Sequence, residues 1–111
     1  MTNFEKVQEF HRAIREPTGD MKTLRIRLIL EEVDELIEAV IKDDRENMLK
    51  EACDLLYVVY GLCDVLQLPA DKGFERVHDS NMSKVTPPIY REDGKLLKGP
   101  MYVEPYLGDL V

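Results

Sequence analysis

Residues 26–66, IRLILEEVDELIEAVIKDDRENMLKEACDLLYVVYGLCDVL, decide the fold. In the first half Ile26, Ile29, Leu30, Val33, Leu36, Ile37, Val40 and Ile41 recur at the three-to-four spacing of a helix. On a helical wheel they cover an arc of roughly 140°, wider than the stripe a surface helix needs. In the second half Leu49, Ala52, Cys53, Leu55, Leu56, Val58, Val59, Leu62, Val65 and Leu66 surround most of a helix. Lys42-Asp43-Asp44 separates the two. Helices this apolar are buried between neighbours on more than one side. The expected architecture is therefore all-α, with long helices at 21–43 and 45–67 that build a bundle shared between copies of the chain, as a dimer or a dimer of dimers.

Two shorter helices flank this pair. Phe4, Val7, Phe10 and Ile14 predict an amphipathic helix from Thr2 to about Arg15. Glu16-Pro17-Thr18-Gly19-Asp20 breaks it, and Asp20 is the expected cap of the next helix. Leu68-Pro69-Ala70-Asp71 ends the third helix and starts a fourth, from about Ala70 to Ser80, with Phe74 and Val77 as its apolar side. Beyond it Pro87-Pro88, Asp93-Gly94 and Gly99-Pro100 mark a tail of turns, with a short hairpin expected between Tyr90 and Leu97. The chain thus divides into a helical domain, residues 1–82, and an irregular tail, residues 83–111.

The chain has 111 residues, enough for one domain, and a formal net charge of −7. That sign excludes the counterion-release grip on duplex nucleic acid or anionic lipid, so neither a nucleic-acid polymer nor a membrane is an expected partner. No apolar run approaches the length of a membrane span, and the start Met1-Thr2-Asn3-Phe4-Glu5 lacks a basic, apolar leader. The expected location is cytoplasmic, with Cys53 and Cys63 as reduced thiols. The acid is unevenly placed. Residues 31–64 hold 3 basic and 11 acidic side chains, and this block accounts for the whole excess.

Within the block, Glu31, Glu32, Glu35 and Glu38 share an arc opposite the apolar one, and Glu51 and Asp54 stand three apart on the next helix. Glu51 and Asp54 lie in line with Leu55, Val58, Leu62 and Val65, so they face the interior. Ionised carboxylates there are unfavourable unless paired or bound to a metal. If the helices pack antiparallel about the 42–44 turn, Glu35 and Glu51 lie at similar depth and the two groups converge. Clustered oxygen ligands without His or Cys select Mg²⁺ or Mn²⁺. Two other readings compete. One is a non-catalytic helical dimerisation or adaptor module with a solvated acidic face. The other, a di-iron oxidase, needs Glu-x-x-His twice, whereas it occurs once, at Glu75 to His78. Arg25 and Arg27, one turn before the acids, read as surface charge or phosphate contacts.

Glu31-Glu32-Val33-Asp34-Glu35, followed after fifteen residues by Glu51-Ala52-Cys53-Asp54, resembles the EExxE…ExxD signature of the all-α nucleoside triphosphate pyrophosphohydrolases. These comprise the MazG-like proteins, the dimeric dUTPases and phosphoribosyl-ATP pyrophosphohydrolase. Ser80-Asn81-Met82-Ser83-Lys84 is similar to the stretch that follows the last helix in MazG-like members, and residues 91–98 to the tail of a subgroup near the dimeric dUTPases. The resemblance implies a four-helix MazG-like bundle and Mg²⁺-dependent hydrolysis of a (deoxy)nucleoside triphosphate to monophosphate and pyrophosphate, as in nucleotide-pool housecleaning. It implies metal ligation by Glu32, Glu35, Glu51 and Asp54, activation of water by Glu31 (or by Glu32 with the two roles exchanged), and substrate contacts from Asn81 and Lys84.

Overall fold

The computed structural model describes residues 1–15 and 21–111. Its elements are α1 (Asn3–Ala13), α2 (Lys22–Ile41), α3 (Arg45–Val65), α4 (Ala70–Met82) and a terminal 3₁₀ turn, Gly108–Leu110. The protein is all-α, and no strand is formed among the described residues. No single helix is long and apolar enough to cross a membrane among the described residues.

Local chemistry explains the boundaries. Thr2 caps α1 through a reciprocal pair in which Glu5 N–H donates to Thr2 Oγ1 at 3.1 Å and Thr2 N–H to Glu5 Oε1 at 2.6 Å. The expected cap at Asp20 lies outside the described residues. At the far end of α2, Asp43 adopts φ 54°, with Asp44 N–H bonded to Ala39 O and Asp43 N–H to Val40 O. This is the paired closure that usually employs glycine. Asp44 then caps α3, accepting from Asn47 N–H at 3.2 Å. The α3 terminus repeats the closure at Gln67, φ 57°, with Leu68 N–H on Cys63 O.

The chain forms two compact units, Met1–Ala70 and Asp71–Val111. In the first, α2 packs on α3 and α1 on α3. Phe4 and Val7 of α1 are buried, with Phe4 5.9 Å from Tyr60 between ring centroids. Phe10 and Ile14, expected to complete that stripe, are exposed; His11 is the residue α1 buries beside Val7. In the second unit the 83–111 segment straps back on α4. Ser80 Oγ donates to Val103 O at 2.7 Å, Val103 N–H to Ser83 Oγ at 2.9 Å, and Arg76 holds the Asp109 carboxylate. Phe74 and Val77 are exposed, and the residue α4 buries is Ser80. The expected hairpin shrinks to one antiparallel bridge between Tyr90 and Leu96 around Gly94, φ 90°.

Candidate metal centre

α2 and α3 run antiparallel, because Arg25 meets Gly61 near one end and Glu35 meets Glu51 towards the other. The face of α2 towards α3 is the stripe Arg25, Leu28, Glu32, Glu35 and Ala39, with Arg25 and Ala39 buried. The Glu32 and Glu35 edge of the acidic side of α2 therefore meets α3. The apolar arc, including Ile26, Leu30, Ile37 and Ile41, is left open.

On this face one carboxylate oxygen from each of Glu32, Glu35 and Glu51 lies within 4.8 Å of the others. Glu51 is only 6% exposed. Among the described residues, Glu32 Oε2 and Glu51 Oε2 are buried with no hydrogen-bond partner. Three like charges so close disfavour full ionisation. Glu35 is pushed up to about 7, first by its shared hydrogen bond with Glu51 and then by the charges of Glu32 and Glu51. Burial, reinforced by the Asp54 charge, raises Glu32.

Asp54 stands outside this triad. Its Oδ2 accepts from Lys50 Nζ at 2.7 Å, and the same ammonium lies 3.4 Å from Glu51 Oε1. Hydrogen bonds to Asp54 and Glu51 push Lys50 up to about 12. Glu31 is exposed on the turn beside Glu32 and is not part of the triad. Glu38 departs from the acidic arc differently: it accepts from Lys42 Nζ at 2.7 Å, which lowers its carboxyl. Asn81 and Lys84 lie in the second unit and pair with each other, Lys84 Nζ donating to Asn81 Oδ1 at 3.0 Å. Lys84 also sits 5.7 Å above the Tyr102 ring, with Lys98 at 4.9 Å.

A polar cluster that the sequence reading missed continues the α2 stripe. His11 Nδ1 and Asp64 Oδ2 are 2.6 Å apart, with His11 buried. Arg25 is not a surface charge: it is buried, its charged form disfavoured by burial and favoured by Asp64. Gly61 makes room for both. A Cβ there would lie 3.0 Å from Arg25 Nη1 and 3.3 Å from His11 Cε1. The signal was a glycine inside an apolar helix and a histidine three to four residues from core positions. Beside this cluster is a cavity of about 370 Å³ lined by residues including Phe10, His11, Leu24, Arg25, Leu28 and Tyr57. Phe10 and Tyr57 meet edge to face there. Leu28 precedes Glu32 by one turn, about 6 Å along the helix.

The donor set fits a hard divalent cation. All the candidate donors are carboxylate oxygens, two carboxylate oxygens of the triad residues are buried without a partner, and the mutual repulsion that raises Glu35 is what a bound cation would offset.

A mimivirus protein of unassigned function, L479 of Acanthamoeba polyphaga mimivirus, is 34% identical over 82 residues, a match covering 63% of this chain and 33% of that protein. The chain thus spans about a third of the length of this relative. The sequence profile of the family described as phosphoribosyl-ATP pyrophosphohydrolase matches residues 5–81, which include both carboxylate motifs and the helices that carry them. The chain belongs to that family, within the MazG-like nucleoside triphosphate pyrophosphohydrolase superfamily.

Proposed function

We propose that the protein is a Mg²⁺-dependent pyrophosphohydrolase that cleaves a (deoxy)nucleoside triphosphate to monophosphate and pyrophosphate. The observation that carries this reading is the buried Glu51, which has one oxygen without a partner and lies within ligand distance of Glu32 and Glu35. A solvated acidic face, as the adaptor reading requires, would not bury one of its carboxylates. Glu32, Glu35, Glu51 and Asp54 would hold the cation, which when bound screens the triphosphate charge and stabilises charge developing on phosphorus; Mn²⁺ suits the same oxygens. Glu31, exposed beside the triad, is left to orient or deprotonate the attacking water. The cavity over Phe10, Leu28 and Tyr57 supplies an apolar, aromatic wall for a base. Asn81 and Lys84 keep their proposed role as substrate contacts on the strength of the SNMSK stretch.

We further propose that two copies associate through the open apolar arc of α2 and that the protein works in the cytoplasm. The test is pyrophosphate release from a panel of nucleoside triphosphates, with phosphoribosyl-ATP included, with and without Mg²⁺. Release from at least one substrate, absent with chelator and absent in Glu51→Gln, supports the reading. Silence across the panel, together with a melting temperature that Mg²⁺ leaves unchanged, rejects it in favour of the adaptor module.

A further inference from the structure

Lys50 has no place in the scheme above, yet it is the cation that the fold sets on the carboxylates. It precedes Glu51 directly and Asp54 by four residues, a helical spacing that lays its stem along α3 towards both. Its ammonium lies 2.7 Å from Asp54 Oδ2 and 3.4 Å from Glu51 Oε1. The side chain is otherwise largely in solvent, 65% exposed, so it can leave without disturbing the core. Asp54, held by Lys50, is the one motif carboxylate of α3 that does not join Glu32 and Glu35, whereas Glu51 does.

We propose that Lys50 is an internal counter-ion that holds Asp54 and Glu51 until a divalent cation displaces it, and so sets the affinity of the centre for metal. This rests on the metal-centre reading of the triad. A monovalent ammonium and a divalent ion compete for the same oxygens; the ammonium is the weaker ligand partner but is covalently tethered and always present. With a divalent cation loaded, Asp54 would give up its hydrogen bond to Lys50 to ligate the ion, and the ammonium would return to water. The tether makes the unloaded centre tolerable and the loaded one conditional on cation concentration.

The test is Mn²⁺ titration of the full chain without nucleotide, followed by the electron paramagnetic resonance signal of free Mn²⁺. Lys50→Met keeps the stem and removes the competitor, and should bind Mn²⁺ roughly tenfold tighter than wild type, while Lys50→Arg stays within about threefold of it. The metal-free Lys50→Met protein should melt lower than metal-free wild type, and saturating Mn²⁺ should erase the difference. In an Asp54→Asn background the gain from Lys50→Met should largely vanish. An equal gain there assigns the effect to bulk charge and overturns the proposal, as does unchanged or weaker binding by Lys50→Met. Absence of Mn²⁺ binding in wild type and every variant removes the metal centre itself, and the counter-ion role with it.

Discussion

A buried carboxylate with one oxygen left unpartnered, Glu51, is the residue-scale key to this protein. Glu51 is only 6% exposed, with Lys50 Nζ 3.4 Å from its Oε1 and its Oε2 left without a hydrogen-bond partner. Glu51→Gln should therefore reduce pyrophosphate release by more than about a hundredfold, yet leave the metal-free protein at least as stable as wild type in thermal melts. Glu35 carries the pH dependence. Its carboxyl titrates at about 7 in the folded chain against a normal value of 4.5. Between those values the folded state holds the extra proton, so its contribution to stability is complete below about 4.5 and is lost as pH rises through 7. The metal-free protein should melt lower at pH 7.5 than at pH 5.5, and Glu35→Gln should flatten that slope. With Mg²⁺ present the slope should shrink or reverse, because loading releases the proton.

Among the elements, α2 and α3 are ended by residues that sequence rules do not favour there. Asp43 and Gln67 both hold positive φ, where a Cβ crowds the backbone at about 1 kcal/mol or more. Asp43→Gly and Gln67→Gly should each raise the unfolding free energy by roughly 0.5–1 kcal/mol in urea titrations. Inside α3 the demand runs the other way. Alanine at Gly61 would gain about 1 kcal/mol of helix propensity. Its Cβ would press on Arg25 and His11, and neither can retreat, since both are buried and His11 is tied to Asp64. Overpacking of about 1–3 kcal/mol should win, making Gly61→Ala less stable by roughly 1 kcal/mol in the same assay.

For the whole molecule, the decisive fact is which side of α2 faces inward. Glu32 and Glu35 are spent on α3, and the apolar arc is left outside: Leu30 is 59% exposed and Ile41 78%. Ile26, Leu30, Ile37 and Ile41 repeat along one side of the helix, and Leu49 and Leu56 of α3 are likewise open. Exposed apolar side chains in this number on a chain of 12.9 kDa are what the proposed association of two copies would cover. Wild type should sediment at twice the chain mass or more at micromolar concentration. Leu30→Glu with Ile37→Glu should return it to the mass of one chain.

What the sequence determined by itself was whatever depends on period and residue type. The four helices lie within two residues of their expected positions, because apolar spacing and the turns at Asp43-Asp44 and Pro69 are local signals. The convergence of Glu32, Glu35 and Glu51 was also legible, since an antiparallel pair about a short turn leaves little choice of register. Tertiary structure alone decided the rest. Whether Glu31, Glu38 and Asp54 join the triad depends on rotation of each helix and on lysines one turn away, and a four-membered arc carries no mark of which members turn inward. Arg25 and His11 became interior residues because Gly61 and Asp64, distant in sequence, supply the space and the opposite charge. Local chemistry is written in the order of residues; the partner that satisfies a buried charge is known only when the chain has folded back on itself.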